Sequence, residues 1–121
     1  ICKDLLEEGA ILAINDPKVE AKQISSDLSI SENKELNYSS EIDFNNKNNG
    51  NWFFESDIKR AIKNSDAIVI LTEWDEYSQI NWFEVAKLMR KPSWVFDARS
   101  VVIKEKVLKA KLNLWKIGDG N

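Results

Sequence analysis

At 121 residues, with 43% hydrophobic and 31% charged side chains, the chain has the composition of one soluble globular domain with a single core. Its net charge of -3, with lysines scattered among acids, gives no basic stripe and disfavours nucleic acid as a partner. The lack of histidine and the single cysteine, Cys2, exclude an internal disulfide, a Cys/His metal site and every Ser-His or Cys-His nucleophile pair. Catalysis by this chain alone would need carboxylates or lysines, which shifts the expectation toward binding. No apolar run approaches the roughly 18 residues that cross a bilayer, so no membrane partner is expected, and one unpaired thiol fits a reducing, cytoplasmic compartment. The chain opens at Ile1, inside a helical pattern, and reads as a piece of something longer.

Residues 1–8 place Ile1, Leu5 and Leu6 on one helical face, and Gly9 stands where a left-handed C-terminal cap is needed. Residues 10–14 are a short apolar run between that glycine and the turn signal Asn15-Asp16-Pro17, which predicts a parallel strand. A helix leading into such a strand is the second half of a β-α-β unit, so its first strand is expected upstream of Ile1, missing from this chain. Residues 18–28 predict a short helix. From 29 to 51 the pattern dissolves into an Asn-rich stretch with too little apolar surface to offset ordering, and a flexible surface insert is expected. Trp52 to Phe54 then read as a brief extended segment.

Ser56 reads as the N-cap of a helix with Ile58, Ala61 and Ile62 on one face. Ala67 to Leu71 form an unbroken apolar run, too short for an ordinary helix and rich in β-branched residues, which predicts a strand buried on both faces. Asn81 and Glu84 have capping-box spacing ahead of an apolar face made by Trp82, Val85, Ala86 and Met89. Residues 93–96 predict a further strand with an exit turn at 97–100, Ile103, Val107 and Ala110 line a last helix, and residues 112–117 close the chain as a strand. This alternation implies an α/β fold: a three-layer, Rossmann-like sandwich with a mostly parallel sheet.

Ligands of such sheets sit beyond the carboxyl ends of the strands, which gathers Asp16, Thr72, Glu73, Trp74, Asp97 and Arg99 as a polar rim. Arg99 suits two phosphate or carboxylate oxygens, because its guanidinium fork is planar and always charged; the alternative is an ion pair with Asp97 or another surface acid. Asp97 either orients Arg99 or touches a ligand hydroxyl, or satisfies backbone N–H groups near a helix start, and the last is favoured. Asp16 holds the place of a ribose-binding acid, but with no Gly-x-Gly-x-x-Gly present a turn-forming aspartate is favoured. Glu73 and Trp74 face a ligand or a neighbouring domain, although Trp74 reads more simply as packing. Cys2 is a small apolar residue with no cation nearby in sequence to make it a thiolate.

Five segments taken together, at 1–10, 15–19, 67–74, 91–99 and 116–118, resemble the carboxyl-terminal, UDP-binding domain of the UDP-glucose/GDP-mannose dehydrogenase family, its UDP-glucose 6-dehydrogenases above all. The resemblance implies a parent enzyme that oxidises UDP-glucose to UDP-glucuronate with NAD, through a thioester on a cysteine in another domain. It implies that the arginine of the family's Asp-x-Arg motif, here Arg99 beside Asp97, reaches the UDP-sugar. Many relatives carry a second basic or amide residue next, where this chain has Ser100. The catalytic cysteine, the Gly-rich NAD loop and the segment that precedes the first helix have no counterpart here, and Cys2 does not match the nucleophile. The chain is therefore expected to be inactive alone, with no catalytic residue and no metal, to hold part of the UDP-sugar site, and to rely on its parent's amino-terminal and central domains for NAD. A homo-oligomeric parent is implied. The competing readings are a dehydrogenase domain for another nucleotide sugar and a non-catalytic interaction or oligomerisation module.

Overall fold

The computed structural model describes residues 1–33 and 50–118. It divides into two compact units, Ile1–Ala61 and Ile62–Asn121. Strand and helix alternate through both, and every strand pairing is parallel.

In the first unit, α1 (Cys2–Glu7) ends as expected at Gly9, with φ of +89°. The Gly9 N–H donates to the Leu6 carbonyl and the Ala10 N–H to the Leu5 carbonyl, both at 3.0 Å, the paired bonds of a Schellman cap. The chain reverses there into β1 (Ile11–Ile14), which pairs with β2 (Asn51–Phe54) from Ile11 opposite Asn51 to Ile14 opposite Phe54. Between them α2 (Ala21–Leu28) starts later than the 18–28 pattern suggested, because the Asp16 carboxylate turns the chain first, accepting from the Lys18 and Val19 N–H groups at 2.8 and 3.1 Å. The core of the unit is built on Leu6, Trp52 and Phe53.

The boundaries of the Asn-rich insert need correction at both ends. The Asn33 N–H donates to the Trp52 carbonyl at 2.9 Å and Glu32 accepts from the Phe54 N–H at 2.7 Å, so residues 32–33 line the outer edge of β2. At the other end Asn51 already belongs to β2, and a Cβ at Gly50 would overlap the Ala10 carbonyl. Gly50 is thus a requirement of two backbones in close approach. The rest of that predicted insert, 34–49, lies outside the described residues.

The helix α3 (Ile58–Ile62) is capped by Asp57, not by Ser56: its Oδ1 accepts from the Lys59 and Arg60 N–H groups at 2.9 and 3.3 Å. The second unit holds the ordered sheet β3 (Ala67–Ile70), β4 (Trp94–Asp97), β5 (Asn113–Lys116). A one-turn helix absent from the sequence pattern, α4 (Asp75–Ser78), follows β3 and buries Tyr77. Next comes α5 (Trp82–Leu88), which buries Trp82 and Val85, followed by a buried Met89, as the spacing predicted. Asn81 caps it, its Oδ1 accepting from the Phe83 and Glu84 N–H groups at 3.1 and 3.3 Å. Asn81→Ala is expected to cost about 1 kcal/mol in urea denaturation, with Asn81→Ser recovering most of it.

The last helix, α6 (Lys104–Lys109), packs on β5 and buries Val107, whereas Ile103 is its N-cap and 49% exposed, outside the apolar face assigned to it. It ends in a second Schellman cap, with Lys111 at φ of +64° where no glycine announced the turn. The strand β3 also departs from expectation. Val69 and Leu71 remain 41% and 36% exposed, so β3 is not buried on both faces. The strand register aligns Val69 with Phe96 and Phe96 with Trp115, and Trp94 stacks on Phe96 with centroids 5.6 Å apart, along one partly open apolar face. The alternate residues Ile70, Val95 and Asp97 are buried on the other.

Candidate functional site

Two parallel neighbours, β3 and β4, end side by side in the second unit, and their exits bring together residues 26 apart in sequence. Pairing continues one step past the strands, the Ala98 N–H donating to the Ile70 carbonyl at 3.1 Å, so both exits leave from a fixed edge. Asp97 is the last residue of β4, one position inside the exit turn predicted for it. It is fully buried. Its Oδ1 accepts from the Arg99 N–H at 3.1 Å and its Oδ2 from the Val102 N–H at 2.8 Å. A carboxylate spent on two backbone donors folds residues 98–102 into a tight loop, and Ser100 takes a left-handed φ of +60° within it. Of the roles open to Asp97, the bonding to backbone N–H groups is the one observed.

Lys116 closes the loop from the other side. It lies opposite Asp97 in the β4–β5 register, and its Nζ donates to the Val102 carbonyl at 2.8 Å. Sequence reasoning missed this lysine as part of the rim; its position on the strand beside Asp97 is visible only once the register is known.

Held by this loop, the Arg99 side chain is half exposed, and its Nη2 meets the Glu73 Oε1 at 2.6 Å. The bland alternative for Arg99, a surface acid, is therefore met in part, by Glu73 and not by Asp97. The geometry places a permanently cationic fork at the carboxyl end of a parallel sheet, anchored from beneath by a buried anion, which is a suitable receptor for an anionic group. Asp16 caps a turn of the first unit, as favoured. Cys2 is half-buried on α1. Among the described residues, no group of three or more His, Cys, Asp or Glu side chains is arranged to hold a metal, and no helix is long and apolar enough to cross a membrane.

Residues 1–104 match the model of the UDP-glucose/GDP-mannose dehydrogenase family, UDP binding domain. The chain belongs to this family. It is 35% identical over 121 residues to the UDP-glucose 6-dehydrogenase of Drosophila melanogaster, covering 98% of this chain and 23% of that protein. It is 33% identical to UDP-glucose 6-dehydrogenase 3 of Arabidopsis thaliana and 32% identical to the UDP-glucose 6-dehydrogenase of Caenorhabditis elegans, again over 98% of the chain. The chain thus spans about a quarter of the length of the curated relatives it matches, between 22% and 25% in these cases. Membership of the family and the all-parallel α/β architecture agree with the fold class read from the sequence. The Glu73–Arg99 pair lies within the matched span.

Proposed function

We propose that this chain supplies the UDP-sugar-binding part of an NAD-dependent UDP-glucose 6-dehydrogenase, with Arg99 as its contact to the ligand's diphosphate. The observation that carries the reading is the Asp97-built loop, which holds a cationic fork at the edge where open parallel sheets receive ligands. Asp97 acts here as a positioning residue, setting the Arg99 backbone, and not as a ligand contact. Oxidation of the sugar and binding of NAD belong to the parts of the enzyme outside this chain. The parent is a homo-oligomer working in the cytoplasm.

Calorimetry with UDP-glucose and, separately, NAD on the 121-residue chain tests this reading. UDP-glucose is expected to bind, NAD to give no heat, and Arg99→Ala to weaken UDP-glucose by at least about tenfold, the order of one charge-assisted hydrogen bond. Undiminished binding in Arg99→Ala, or NAD binding with UDP-glucose silent, overturns it.

A further inference from the structure

Glu73 is a rim residue to which the nucleotide-sugar reading assigns no role, and it touches the residue on which that reading depends. Its Oε1 sits 2.6 Å from the Arg99 Nη2, a short, charge-assisted contact made to a single nitrogen of the fork. Both side chains are largely open to solvent, 50% exposed for Arg99 and 60% for Glu73. The two ends of the pair differ in how they are held. The Arg99 backbone is fixed by buried Asp97, whereas Glu73 stands in the segment between β3 and α4, two residues before the helix. The pair is therefore an arginine with an anchored backbone and an acid laid against its side chain.

We infer that Glu73 is an internal counter-ion that occupies the anion position on Arg99 and competes with the ligand's phosphate for it. The inference rests on the reading of Arg99 as the diphosphate contact. A carboxylate and a phosphoryl oxygen seek the same N–H groups, so a ligand must exchange with Glu73 at that nitrogen. A monocarboxylate gains little by replacing its equal. A diphosphate carries more charge than Glu73 and wins the exchange, so the pair sets a threshold that favours diphosphate ligands over simple carboxylates. An exposed pair is worth little in itself, so the threshold is low and readily crossed.

Inorganic pyrophosphate titrated into the 121-residue chain by calorimetry tests the competition. Glu73→Gln keeps the size of the side chain and removes its charge; it is expected to tighten pyrophosphate by about two- to fivefold, the value of an exposed ion pair. Glu76→Gln removes an equal charge from α4 without the contact and is expected to change affinity by less than about twofold, because exposed charges at a distance are screened. The gain is expected to vanish when Glu73→Gln is combined with Arg99→Ala. Equal or weaker binding in Glu73→Gln would assign Glu73 to orienting Arg99 and overturn the inference. An equal gain in Glu76→Gln, or no saturable binding even in Glu73→Gln, overturns it as well. Pyrophosphate binding that survives Arg99→Ala alone is a different result: it overturns the Arg99 reading itself.

Discussion

Trp52→Ala is expected to remove about 3–5 kcal/mol of stability, the usual cost of emptying a large aromatic site in a core. Trp52 is fully buried on β2, and in a unit whose core rests on few large side chains the space it leaves has little to fill it. Its ring does a second job: Nε1–H donates to the Ile30 carbonyl at 2.9 Å, tying the segment after α2 to the sheet. The Trp52 carbonyl accepts from the Asn33 N–H, so one residue secures the edge of β2 through both side chain and backbone. Trp52→Phe separates these contributions. It keeps most of the apolar volume and loses the indole bond, and is expected to cost about 1–2 kcal/mol. Urea denaturation of the two variants checks both values. Equal losses would mean that the bond to Ile30, and not the volume, carries the effect.

Asp97→Ala is expected to cost about 3 kcal/mol, since it strands buried backbone donors that a charged acceptor had satisfied. Of the two, the Val102 N–H is the buried one, and water does not replace the lost oxygen there. Asp97→Asn is expected to fall between wild type and alanine, because its amide offers one acceptor oxygen but turns an NH2 group toward a second donor. Chemical denaturation measures the stability. The same variants should weaken UDP-glucose in step with loosening of the 98–102 loop, as a positioning role for Arg99 requires. Asp97→Ala with full stability and full binding would remove Asp97 from both roles.

Much of this architecture was legible residue by residue. Gly9 announced the end of α1 because only a left-handed residue closes a Schellman cap cheaply, and Asn81 announced α5 because its side chain accepts the first orphan N–H groups. The runs at 10–14, 67–71 and 93–96 announced the strands found at 11–14, 67–70 and 94–97, because β-branched and aromatic residues favour extended backbone. Arg99 stood out because it follows such a run. Where the reading slipped, a neighbour competed on nearly equal local terms: Asp57 over Ser56 as a cap, or Lys111 taking a left-handed conformation with no glycine to mark it. Glu32, Asn33 and Gly50 looked like parts of a polar insert, and only the pairing of β1 with β2 shows that they serve the sheet.

The sequence by itself therefore determined the order of helices and strands apart from α4, the parallel α/β class and the family, and it singled out Arg99 as a candidate, all of which depend on local propensity, spacing and motif. The tertiary structure alone decided which acid meets Arg99, that Asp97 is buried beneath its loop, that Lys116 clamps Val102 and that one face of β3 stays partly open. Those facts depend on strand register and on which residues neighbouring strands bring to a common edge. Register is a relation between segments distant in sequence, so no window along the chain contains it.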